Sequence, residues 1–137
     1  MVTTKKTAIP KEFSDLLQST ALLHVATTGP DGEPQSNPVW FDWDGEHLHF
    51  SQTTTRQKYR NLHRDARLAG SIVDPKNPFR YLEIRGTVVE FRPDPEFAFI
   101  SSMSAKYLNI PVYQGSKPGD EERVVVVVRP EHTTSMG

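Results

Sequence analysis

Two segments constrain the fold of this 137-residue chain more than any others: "FRYLEIRGTVVEFRP" at residues 79–93 and "RVVVVVRPEH" at residues 123–132. In the first, Leu82, Ile84, Gly86 and Val88 alternate with Tyr81, Glu83, Arg85 and Thr87, the period of two that gives each set its own face of a strand. In the second, consecutive valines leave neither face polar, the pattern of a strand covered on both sides. The 36% hydrophobic content is enough for one core but not for two.

The other segments read around these two. After a polar opening, "PKEFSDLLQS" sets Phe13, Leu16 and Leu17 at helical spacing behind Pro10, which suits a first helical turn. "TALLHVATT" reads as a strand ended by "GPDGEP", and "PQSNPVWFDWDGEHLHFSQT" as two more strands around an Asp-Gly hairpin signal. Residues 55–64 read as helix, "RLAGSIVD" as strand and "PKNP" as a breaker. "PDPEFAFISSMSAKYLNI" is expected to be a helix entered through Asp94 or Pro95, followed by the polar loop "PVYQGSKPGDEE". Six short, mostly antiparallel strands with small helices at the connections make a mainly β protein. They favour a closed or partly closed barrel, because closure removes exposed sheet edges; an open α+β sheet is the alternative. Residues 11–137 are expected to form a single domain and residues 1–10 a flexible tail.

Composition excludes several function classes. A formal net charge of −1 and a pI near 6.5 argue against a general nucleic-acid binder, which relies on a basic surplus. The absence of cysteine excludes disulfides, a thiolate zinc site and a cysteine nucleophile. No apolar stretch follows the lysines of "MVTTKKTAIP" and no segment approaches the ~20 apolar residues of a membrane span, so a cytoplasmic protein without membrane partners is expected.

Within this near-neutral chain, "HFSQTTTRQKYRNLHRDARLAG" concentrates Arg56, Lys58, Arg60, Arg64 and Arg67 against a single acid, Asp65. If the helix begins near Thr55, its free N–H groups and dipole, together with Thr53, Thr54 and Thr55, form an anion cradle to which Arg56 and Lys58 add charge. Arg60 and Arg64 are expected to face solvent or pair with Asp65. A solvated basic helix with a threonine cap explains the same local pattern.

Strand, "S-x-x-x-x-R-x-K", "NLxxD" and a further strand, set between a hairpin and "YLEIRGTVVE", resemble the split-barrel flavin-binding superfamily that includes pyridoxamine 5′-phosphate oxidase. The resemblance covers about residues 13–130. Within it, "SNPVWFDWDGEHLHFSQT" is most similar to the deazaflavin-dependent oxidoreductases that use coenzyme F420. The resemblance implies a six-stranded antiparallel split β-barrel working as a homodimer, with the cofactor groove between subunits. It places the cofactor phosphate on Arg56 and Lys58 beside Thr55, the ring along Ser51, Gln52 and Thr53, and Asn37, Pro38, Val39 and Trp40 around the ring. "SNPVWFD" and "VVVVVRPEHTTSMG" stand where the B6 oxidases carry basic, tryptophan- and arginine-containing elements. Vitamin B6 oxidation is therefore not expected, and F420 is favoured over flavin mononucleotide.

The implied activity is hydride transfer from reduced deazaflavin to an unsaturated small-molecule substrate. A flavin mononucleotide enzyme of the same superfamily, or a non-catalytic deazaflavin or tetrapyrrole carrier, is the alternative. No catalytic residue is assigned; water, the cofactor's own hydroxyl system or Tyr113 could supply the proton. His47 and His49 share a strand face without an evident third ligand, so no metal site is expected. Trp43 reads as turn packing, Trp40 as either core or ring-site wall, and His24 as a core or rim histidine. Phe97, Phe99, Ile100, Met103 and Tyr107 read as core or dimer contact. Tyr59 alone among the basic residues is too little aromatic interleaving for single-stranded nucleic acid, and the absence of a G-x-S-x-G elbow argues against a hydrolase.

Overall fold

The computed structural model describes residues 9–137; apart from Ile9 and Pro10, the tail expected at residues 1–10 lies outside the described residues. A 3-10 turn (Lys11–Phe13) leads into a one-turn helix α1 (Ser14–Leu17). The strands are β1 (Leu23–Thr28), β2 (Pro34–Val39), β3 (Asp42–Trp43), β4 (Leu48–Thr53), β5 (Arg67–Asp74), β6 (Asn77–Pro93) and β7 (Arg123–Met136). Helix α2 (Gln57–Arg64) joins β4 to β5, and α3 (Ala98–Leu108) lies between β6 and β7. All the strand pairs are antiparallel, in the order β2-β1-β5-β6-β7-β4-β3. No helix among the described residues is long and apolar enough to cross a membrane.

The sheet has seven strands rather than six, because the run "PVWFDW" breaks at Trp40 and Phe41. β2 ends one edge of the sheet and β3 the other, yet Val39 and Asp42 are three Cα steps apart, at most about 11 Å. A seven-stranded sheet can meet that limit only by curling until its edges approach, which makes it a split barrel. The crossing is pinned from α3. Phe41 is buried, its N–H donates to the Tyr107 hydroxyl (3.1 Å), and its carbonyl accepts from Lys106 Nζ (2.7 Å). That hydroxyl donates in turn to the Ala21 carbonyl at 2.7 Å. Trp40 stacks on the Tyr107 ring with centroids 5.5 Å apart, while Trp43 packs against the main core.

The two constraining segments behave as their patterns require. Leu82, Ile84 and Val88 are buried, while Arg85 on the opposite face is exposed. Val124, Val126 and Val128 enter the main core with Leu23, Val25, Phe50 and Ile72, and Val125 and Val127 are buried as well. Both strands run further than expected. β6 begins at Asn77, so Pro78 lies within it, and β7 continues past His132 to Met136. Pro130, which has no N–H to donate, stands opposite Gly86 where the β6–β7 register shifts. A Cβ on Gly86 would meet the Arg129 carbonyl oxygen at 2.4 Å, so the crossing there needs glycine.

The apolar residues of α3 expected in the core or at a dimer contact are largely covered within the chain. Phe97, Ile100 and Met103 are buried in a second cluster, with Trp40, Phe99, Tyr107 and Tyr113 packed against it. Helix α3 starts later than Asp94, which serves as its cap from outside: the carboxylate accepts from Phe99 N–H (3.1 Å) and Ile100 N–H (3.3 Å).

Candidate functional site

The facing edges of the split barrel frame a groove of about 300 Å³. β3 pairs with β4 only at Leu48 and His49, leaving the edge of β4 beyond them open toward β2, the opposite end strand of the sheet. Asn37, Pro38, Val39, Ser51, Gln52, Thr53, Arg56 and Lys58 line this groove together. Two other expected residues do not. Trp40 is taken up by its stack on α3, and Thr55 occupies the turn before α2.

Helix α2 starts at Gln57, two residues later than the threonine-capped start expected at Thr55, and the N-cap position is held by Arg56 without a side-chain cap bond. Thr54 is drawn elsewhere: it bonds Glu122 through both its N–H (3.1 Å) and its hydroxyl (3.0 Å). The later start brings Lys58 into the first turn, where it is only 7% exposed. Among the described residues Lys58 has no acidic partner; its ammonium lies 5.7 Å from the centroid of the Phe50 ring. Burial first, and the adjacent Arg56 second, push its pKa down from 10.5 to about 8. On the same groove the buried Thr53 hydroxyl, on the strand face it shares with Ser51, has no hydrogen-bond partner among the described residues. A buried cation without a counter-charge and an unpartnered buried hydroxyl, both on one groove, are the arrangement an incoming anion completes. The residues therefore fit the phosphate of a cofactor.

The remaining basic residues are not equivalent to these two. Arg67, rather than Arg60 or Arg64, pairs with Asp65 (2.8 Å). Arg60 folds back on the Thr55 carbonyl and Gln57, and Arg64 donates to the Thr28 carbonyl and to Asn61.

Three lining residues escaped the sequence reading: Gln35, Gln57 and Arg123. Two of them are fixed by Asn61, which is fully buried behind the groove. Its Nδ2 donates to Thr27 Oγ1 (3.0 Å) and Gln35 Oε1 (3.1 Å), and its Oδ1 accepts from Gln57 Nε2 at 2.8 Å. One side chain thus ties α2 to β1 and β2. Arg123 enters because its register partner is Thr53; its Nη1 donates to Ser51 Oγ (3.0 Å) and its Nη2 to the Tyr113 hydroxyl (3.2 Å). "NL" after "RQKY" and an arginine directly before the valine run were the available sequence signals. His24 is exposed, and His49 lies 3.4 Å from Asp44.

A split barrel of this topology, with a groove lined by basic side chains between its edges, is the fold of a known protein family. A family model for pyridoxamine 5′-phosphate oxidase matches residues 9–137, and the chain belongs to that family. A solved structure named F420 Reductase matches at 43% identity with a TM-score of 0.83, over 92% of this chain and 98% of that one. A conserved hypothetical protein from Mycobacterium tuberculosis matches at 23% identity, TM-score 0.72, over 99% and 89% of the two chains. The heme storage protein HutZ from Vibrio cholerae matches at 16% identity, TM-score 0.64, over 92% and 93%. At these lower identities the likeness is one of fold. No curated protein sequence matches the chain significantly.

Proposed function

We propose that the chain is a cytoplasmic oxidoreductase that uses coenzyme F420 to reduce an unsaturated small-molecule substrate. The observation that carries this reading is Lys58, nearly buried on the groove without a counter-charge among the described residues. The 43% identity to the F420 reductase supports the choice of cofactor.

When bound, reduced deazaflavin supplies a hydride from ring carbon C5. The chain's own part is to bind and orient. Arg56 and Lys58 hold the phosphate. The open edges of β2 and β4 offer backbone donors and acceptors to a flat ring, and Asn61 holds Gln35 and Gln57 in fixed positions at the groove wall. The reading includes a homodimer sharing its grooves, for which exposed Leu108, Ile110 and Val112 offer apolar area.

An equilibrium titration with oxidised deazaflavin and with flavin mononucleotide, read by ring fluorescence, tests the cofactor. Tighter binding of deazaflavin is expected; equal or reversed affinities overturn it in favour of a flavin enzyme. Tight deazaflavin binding without turnover of any enone, lactone or quinone would make the protein a carrier. Light scattering at micromolar concentration is expected to give the mass of two chains.

A further inference from the structure

We propose that Arg123 is a substrate-binding residue whose guanidinium donates a hydrogen bond to a neutral carbonyl oxygen, and that Glu121 makes this site reject carboxylates. The assignment rests on the reductase reading only in taking the groove's second ligand to be a substrate.

Arg123 and Lys58 reach the groove from different faces of β4. Lys58 sits over the ring of Phe50, whose side chain enters the main core, whereas Arg123 bonds Ser51. Adjacent residues of a strand point to opposite faces, so the two cations flank β4 from opposite sides. Their charge states differ too. Lys58 has no acidic partner among the described residues, while Glu121 lies 2.9 Å from Arg123 Nη2 and accepts from its Nε at 3.0 Å. With its charge already matched, Arg123 gains little from a second carboxylate, which would also face Glu121. A neutral oxygen still gains a hydrogen bond from a charged donor.

The guanidinium is held ready for that bond. Its side chain is 11% exposed on the groove wall. Nε faces Glu121, one Nη1 N–H goes to Ser51, and Nη2 serves Tyr113 and Glu121. Of its five N–H groups three donate hydrogen bonds, one on Nη2 is spent in the ion pair with Glu121, and the second on Nη1 has no contact of either kind among the described residues. Two rings fix its plane: Tyr113 at 4.9 Å and Phe97 at 5.6 Å. Phe97 reaches this place from a left-handed backbone conformation, φ 60°, which side chains of its bulk rarely adopt. A donor already ordered by the fold loses little freedom on binding.

The test uses the full chain, cyclohex-2-en-1-one labelled with 13C at its carbonyl, and cyclohex-1-ene-1-carboxylate. Infrared difference spectra are recorded with and without oxidised deazaflavin. The C=O stretch of the bound enone is expected to fall in the wild-type protein and to return to its free value in Arg123→Gln. Glu121→Gln, which unmasks the cation, is expected to raise carboxylate affinity at least tenfold. If Arg123→Gln fails to fold by near-UV circular dichroism, the wild-type shift and Glu121→Gln decide the matter. An unshifted carbonyl in the wild type, a shift that survives in folded Arg123→Gln, or an unchanged preference in Glu121→Gln overturns the assignment. A protein that binds no deazaflavin but shows the shift and its loss would sink the cofactor reading and uphold this one.

Discussion

Lys58 rests its ammonium over the ring of Phe50, 5.7 Å from the centroid, instead of on a carboxylate. A ring face compensates a desolvated cation only in part, so the ligand-free protein carries a cost that the proposed phosphate would relieve. The lowering of the pKa from 10.5 to about 8 corresponds to roughly 3 kcal/mol against the charged form. Lys58→Met should therefore stabilise the ligand-free protein by about 1–3 kcal/mol in urea denaturation while weakening deazaflavin binding at least tenfold. A variant that loses both stability and affinity would show Lys58 to be a structural residue.

The same group sets a pH dependence. Because the folded-state pKa is lowered, the unfolded chain holds a proton between about pH 8 and 10.5 that the folded chain has released. The Lys58 contribution to stability thus rises with pH across that window. Anion affinity runs the other way, level below about pH 8 and falling by up to tenfold per pH unit above it. Titrations from pH 6 to 10 should show this fall in the wild type and lose it in Lys58→Met.

Asn61 couples helix to sheet, so its replacement should be felt at the groove. Asn61→Leu leaves Thr27, Gln35 and Gln57 without their shared partner. A loss of about 2–3 kcal/mol is expected from the stranded polar groups, together with weaker cofactor binding from a loosened wall. Unchanged affinity in a destabilised protein would separate the network from the site.

Gly86 tests the strand crossing. In Gly86→Ala the new methyl would meet the backbone carbonyl of Arg129 at 2.4 Å, and a backbone atom cannot swing aside as a side chain would. Thermal unfolding should show a loss of about 2 kcal/mol or more. Arg85→Ala, one residue away on the exposed face, should stay within about 0.5 kcal/mol. Equal effects would mean that β6 tolerates a side chain at the bulge.

What the sequence determined by itself was the strand content and the faces of its strands. Alternation in β6 and the unbroken valines of β7 are local patterns, and burial followed them because a strand's period of two leaves side chains no other choice. That the expected residues share one groove was legible for a related reason. Arg56 and Lys58 follow Ser51, Gln52 and Thr53 within eight residues, across one short turn from β4 into α2, so chain connectivity alone keeps them together. Tertiary structure decided which edge each strand took and what else reached the groove. The break at Trp40 and Phe41, which sends β2 and β3 to opposite edges, depends on Tyr107 and Lys106, more than sixty residues away in α3. Arg123 faces Ser51 only because β7 pairs with β4 in one register out of several its valines would permit, and Asn61 finds Gln35 only once the sheet has curled. Local patterns carry no information about such pairings, since these contacts join residues whose proximity exists only after the whole sheet has closed.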